Sequence, residues 1–178
     1  MKKLFSLLLL VLLVTGVGSA QMIKEGQMNI NAGIGIGMAG IYGDMKMPAI
    51  SASLDYGIND KMSIGGLVGY SSSEQKVYGD YGWKYSYLVI GARGAYHFEL
   101  GKNFDPYVGV ILGYNVVSAS TIGTAQNSYW GTTYSASASY MMFGGFLGGR
   151  YYVSDNFAIF GEVGYGLGLL TAGVSIKI

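Results

Sequence analysis

The stretch FLGGRYYVSDNFAIFGEVGYG, Phe146–Gly166, sets two alternating apolar runs on either side of Ser154-Asp155-Asn156 and keeps one arginine, Arg150, and one glutamate, Glu162, among residues otherwise suited to an oily surface. Successive side chains of a strand point to opposite faces, so such a run presents one apolar face and one other. Ser, Asp and Asn are turn formers, and the whole reads as a β-hairpin. Arg150 and Glu162 fall on the non-lipid parity at equal distances from Asn156, and they are expected as direct or near cross-strand neighbours inside an oily hairpin.

The same period of two recurs along the chain. QMNINAGIGIGM sets Met28, Ile30, Ala32, Ile34, Ile36 and Met38 against Asn29, Asn31 and glycines, and ISASLDYGI sets Ile50, Leu54 and Tyr56 against Ser51, Ser53 and Asp55. Further runs over about 62–70, 83–98, 106–116, 140–153, 157–165 and 170–178 make eight strands, with Arg93 and His97 turned away from the apolar face of the fourth. Short links are expected at 58–61, 99–105 and 153–156, and longer ones at 39–47, 71–82 and 118–132, with a tight turn near 166–169.

The first residues, MKKLFSLLLLVLLVTGVGSA, combine two lysines, an apolar run and small residues ending at Ala20. This is the pattern of a cleavable signal peptide, residues 1–20, whose run is shorter than the roughly 20 apolar residues of a spanning helix. The remaining domain, residues 21–178, has nine basic residues (eleven less Lys2 and Lys3) against ten acidic, which leaves no basic field for nucleic acid. There is no cysteine, and the single histidine excludes a multi-histidine metal site. No cofactor, metal site or catalytic group is expected.

Charged residues supply only 12% of the chain, against roughly a quarter in soluble domains, and glycine contributes 30 of 178 residues. Most of the surface therefore does not meet water, yet after Ala20 no long uninterrupted apolar run occurs. A backbone that crosses lipid without hydrophobic helices must close its strands into a barrel. The expected fold is all-β: an eight-stranded antiparallel up-and-down transmembrane β-barrel, both termini in the periplasm, its lumen filled by side chains. On this parity Ile34, Val110 and Phe143 face lipid and Val89 the lumen, so Val110→Lys is expected to harm assembly more than the lumen exchange Gly109→Ser.

Asp55, Arg93, Arg150 and Glu162 share the lumen face at similar height and form an expected ionic cluster with a structural role. GIGMAG, Gly35–Gly40, matches a dinucleotide fingerprint in letters alone, because no helix follows it. His97 is placed at the periplasmic rim beside Glu99, with neither a nucleophile nor an orienting residue indicated. Tyr56, Tyr96, Phe98 and Tyr151 near one end, and Tyr70, Tyr114 and Tyr165 near the other, form interfacial girdles. Tyr81, Trp83, Tyr129 and Trp130, in or beside the longer loops, are candidate contacts for a surface ligand.

With FDPYVGVILGY, GGRYYVSDNFAIFGEVGYGL and the closing GVSIKI in place, the chain resembles the small eight-stranded outer-membrane barrels grouped as OmpX-like, opacity-type and OmpA transmembrane domains. The resemblance implies an outer-membrane protein of a Gram-negative cell, inserted by the barrel-assembly machinery beside lipopolysaccharide. It further implies a non-enzymatic role in envelope structure, surface loop display or adhesion. A narrow channel for small ions or solutes is the alternative. The family's last strand usually ends in an aromatic residue, whereas this one ends in Ile178.

Overall fold

The computed structural model describes residues 23–36, 43–78, 81–100, 103–123, 135–166 and 168–178. Eight strands follow in order: β1 (Met28–Ile36), β2 (Asp44–Asn59), β3 (Met62–Tyr78), β4 (Tyr81–His97), β5 (Phe104–Ile122), β6 (Ser135–Tyr152), β7 (Phe157–Tyr165) and β8 (Leu170–Lys177). Each pairs antiparallel with the next, and β8 returns to β1, so the sheet closes as a barrel. The expected signal peptide, Tyr129 and Trp130 lie outside the described residues.

Alternation sorts the side chains between the two faces. Ile34, Val110 and Phe143 are exposed on the outside, while Val89 is fully buried within. Along β4 and the residue that follows it, the outward residues from Leu88 to Phe98 span ten positions. At roughly 3.3 Å per residue and a tilt of about 40° this is about 25 Å, the height of a membrane barrel's apolar band. Tyr56, Tyr96, Phe98 and Tyr151 ring the belt at the end holding the termini, and Tyr114 and Tyr165 at the far end. Tyr70 is half-buried there and donates from its hydroxyl to Ser86 Oγ at 3.3 Å.

The strand lengths correct the expected connections. Residues 71–78 and 81–82 are strand: Ser71 pairs with Tyr87, and the ladder runs on to Tyr78 opposite Tyr81. Likewise Ser118 and Ser120 belong to β5, opposite Ser137 and Ser135 of β6. Thus β3 to β6 have 17 to 19 residues, while β1, β7 and β8 have 8 or 9. The barrel wall is low on the β7-β8-β1 side and rises as a projecting sheet on the other. At the opposite end the chain before β1 folds over the mouth. Ile23 is fully buried, and Gly57 ties this segment down, its O accepting from Gly26 N and its N donating to Gln27 O.

Candidate functional site: the lumen ion chain and the projecting sheet

The lumen holds a chain of contacts contributed by six strands, β2 to β7. Glu162 of β7 receives Arg93 Nη2 of β4 at 2.6 Å, and Arg93 Nε lies 3.0 Å from Asp55 Oδ1 of β2. The other oxygen of Asp55 receives Arg150 Nη2 of β6, whose Nη1 reaches Asp105 Oδ2 of β5 at 3.2 Å. Asp105 Oδ1 lies 2.7 Å from His97 Nδ1, and His97 Nε2 2.9 Å from Ser63 Oγ of β3. Lys177 stands at the rim, its ammonium 5.3 Å from the Tyr152 ring, outside this chain.

Both guanidiniums also rest on aromatic faces, Arg93 over Phe146 at 4.3 Å and Arg150 over Tyr107 at 4.7 Å. A buried charge is offset by opposite charge close at hand, and here each arginine spans two carboxylates through its guanidinium, although Arg150 Nε makes no hydrogen bond. Tyr107 adds a donor, its hydroxyl lying 2.9 Å from Glu162 Oε1. Gly148 makes that meeting possible: a Cβ there would fall 2.7 Å from the Tyr107 ring and 2.8 Å from Glu162 Cγ.

All four residues singled out from sequence, Asp55, Arg93, Arg150 and Glu162, lie in this chain, but not in the arrangement expected. Arg150 is opposite Phe160, and Glu162 is opposite Gly148. The hairpin is centred on Asp155, not Asn156, because Tyr152 pairs with Ala158. The one-residue displacement of the centre moves each partner by two, so Glu162 pairs with Arg93 instead of Arg150. Asp105 escaped the sequence reading. Parity from Tyr107 and Gly109 extends to it, but Asp105 closes the link expected at 99–105.

His97 is also corrected. It is buried at 1% exposure, with Ser63 on one ring nitrogen and Asp105 on the other. That connectivity matches a serine hydrolase triad. Ser63, His97 and Asp105 are all buried, however, and none of them lines the lumen cavity. The cavity is small, about 30 Å³, and is lined by residues that include Asn31, Ser51, Ser53, Arg93, Glu162 and Thr171. Among the described residues no grouping of three His, Cys, Asp or Glu could hold a metal ion.

Of the surface candidates, Tyr81 and Trp83 are strand residues of β4, Trp83 opposite Gln75 and Thr121. The structure adds a feature of the same sheet. Beyond Gly145, which pairs with Tyr165, no described strand adjoins the outer edge of β6. Ser135 to Met141 are consequently exposed on both faces.

The family model for the outer membrane protein beta-barrel domain matches residues 7–143, more than three quarters of the chain. The chain belongs to this outer-membrane barrel family. The strands that close the ring, β7 and β8, lie beyond the matched stretch and are supplied by the structure. No curated protein matches the chain by sequence. Among solved structures, the N-terminal β-barrel domain of Pseudomonas aeruginosa OprF aligns with a TM-score of 0.57 and 17% identity over 86% of this chain and 98% of that one. Ail, the attachment invasion locus protein of Yersinia pestis, aligns at 0.51 and 15%, over 86% and 95%. A further structure of Ail is a complex with the heparin analogue sucrose octasulfate. Neisserial surface protein A aligns at 0.50 and 19%, over 85% and 95%. At these identities the likeness is one of fold.

Proposed function

We propose that this family member is a non-enzymatic outer-membrane barrel with a closed, charge-paired lumen, whose projecting β3–β6 sheet is an adhesive surface. In this reading residues 1–20 are removed after Ala20, and the barrel-assembly machinery inserts residues 21–178 beside lipopolysaccharide. The role of Asp55, Arg93, Arg150 and Glu162 is to hold the strands in register, and Tyr81, Trp83, Tyr129 and Trp130 belong to the adhesive end.

The observation that carries this reading is the difference between the two edges of the projection along which no described strand pairs. An exposed strand edge offers unpaired N–H and C=O groups to another strand, and proteins commonly guard it with charge or proline. The part of β2 beyond the β1 pairing, which ends at Ala49, has Asp44, Lys46 and Pro48. The corresponding part of β6, SASASYMMFG from Ser135 to Gly144, has neither charge nor proline. Its small side chains leave the backbone open to an extended peptide from a partner, added as a further strand. A polysulfated sugar is less well served: Lys46, Lys76 and Lys84 share the projection with Asp44 and Glu74, and Lys46 is 3.6 Å from Glu74.

The test is adhesion of cells displaying the protein to host-cell or matrix surfaces, comparing the unaltered chain with Ser137→Pro and Ala138→Lys. Both changes block edge pairing above the belt and leave the lumen untouched, so adhesion is expected to fall several-fold with surface display unchanged. Equal adhesion by all three overturns the reading.

A further inference from the structure

By charge, the lumen chain is a row of alternating signs with one end open. Glu162, Arg93, Asp55, Arg150 and Asp105 follow one another through salt bridges, three carboxylates to two guanidiniums. Next to Asp105 stands His97, whose ring is charged only when both of its nitrogens hold a proton. With His97 as the imidazolium the row closes at three charges of each sign. With His97 neutral, a surplus negative charge is left in the lumen, and an uncompensated buried charge is strongly unfavourable.

The two ends of the row are not alike. The Glu162 side chain is 14% exposed, and its Oε1 also receives the Tyr107 hydroxyl. Asp105 is fully buried, with Oδ2 3.2 Å from Arg150 Nη1 and Oδ1 2.7 Å from His97 Nδ1, so the imidazole is the nearer partner. Arg150 is shared with Asp55 besides. A second ring proton would sit on Nε2, 2.9 Å from Ser63 Oγ, and a hydroxyl can accept it.

We propose that His97 holds two protons in the folded barrel and acts as a pH-sensitive latch at the end that carries the termini. The groups about the ring come from several elements. β5 supplies Asp105 and the Tyr107 ring, centred 5.4 Å away, and β6 supplies Arg150 on the far side of Asp105. β3 supplies the Ser63 hydroxyl, and the turn before it supplies Lys61 O, which accepts from His97 N at 2.8 Å. Asp55 of β2 is one guanidinium further along. On β4 itself Arg93 is bound to Asp55 and Glu162, while the charged groups of Lys61 and Glu99 belong to exposed residues.

Loss of the second proton leaves Asp105 with one longer contact to a shared guanidinium. The charged tie between β4 and β5 then becomes a neutral hydrogen bond, and the latch slackens. Its contribution to stability is therefore present while the ring is protonated and is lost as pH rises through the point at which the folded ring gives up that proton.

His97 is the chain's single histidine, so a barrel made with isotope-labelled histidine and folded in detergent shows one imidazole in its nitrogen magnetic resonance spectrum. At neutral pH both ring nitrogens are expected at the imidazolium position. In Asp105→Asn, which keeps the shape and removes the countercharge, the ring is expected to be neutral at the same pH. Should that variant fail to fold, melting curves decide the matter. Raising the pH from weak acid to weak alkali is expected to lower the midpoint of the unaltered barrel by several degrees, in step with loss of the imidazolium signal, and to lower that of His97→Gln much less. A neutral ring in the unaltered barrel at neutral pH, an imidazolium that persists in Asp105→Asn, or an equal fall of the midpoint in the unaltered chain and His97→Gln would each overturn the proposal.

Discussion

Asp55 is the residue on which the lumen turns, because both arginines and Asn31 converge on its two oxygens. Replacing it with asparagine keeps the volume but leaves two buried guanidiniums short of a charge. Breaking a buried ion pair costs about 3–5 kcal/mol. Glu162 is less committed: its side chain is 14% exposed, and Arg93 retains Asp55 when it is lost. Glu162→Gln is expected to cost about 1.5–3 kcal/mol, in the range of a hydrogen bond to a charged group. Unfolding in detergent, followed by circular dichroism, should therefore rank Asp55→Asn well below Glu162→Gln, and the reverse order would refute the hub assignment. The parity of the four lumen charges was legible in sequence because it needs only a period of two. Their partners were not, since partners depend on register across strands distant in sequence: Asp55 and Arg150 meet across 95 positions.

At the scale of the strand, sequence shows which face a residue takes more clearly than where the strand stops. Ser71, Ser73 and Ser118 read as loop because serine supplies no apolar face, yet Ser73 and Ser118 are held in β3 and β5 by ladders on both sides, and Ser71 by its pairing with Tyr87 and its hydroxyl's bond to Met47 O. The gap of two residues between Tyr78 and Tyr81 then replaces a loop of twelve. Crowding inside was also hidden. Gly109→Ser would be no mild control, because a Cβ at Gly109 falls 2.3 Å from the Phe146 ring and 2.5 Å from Gly94 O. A fairer comparison stays on the outer face of β5, where Val110 lies within the belt and Ser118 beyond it. Lysine costs about 2–4 kcal/mol at the mid-membrane and about 0–1 near the interface. Val110→Lys should lower folding yield into lipid vesicles sharply, and Ser118→Lys should leave it nearly unchanged. Equal losses would show that the belt is misplaced.

The molecule as a whole joins a closed lower barrel to an open upper sheet. Eight strands enclose a space just wide enough to be filled by side chains. Here Tyr107, Phe146, Phe160 and Met142 are buried within it beside Arg93 and Arg150, and Ile23 is buried at the mouth near Gly57. The cavity of about 30 Å³ has room for about two waters, not for a hydrated ion in transit. To open a path, an ion would have to part Arg150 from Asp55 and Asp105, all nearly fully buried, and leave their charges unanswered. The free energy of parting such a pair is far above the thermal energy. A channel reading therefore requires a motion for which the lumen has no slack, whereas a display reading requires none. Purified protein in planar bilayers is expected to give no steady, large conductance, and Asp105→Ala, which frees one arm of Arg150 and empties the space beside His97, is expected to raise the frequency of brief openings. A stable open level in the unaltered protein would mean that the ion chain rearranges as a gate, and the filled lumen would then have to be reinterpreted as one state of two.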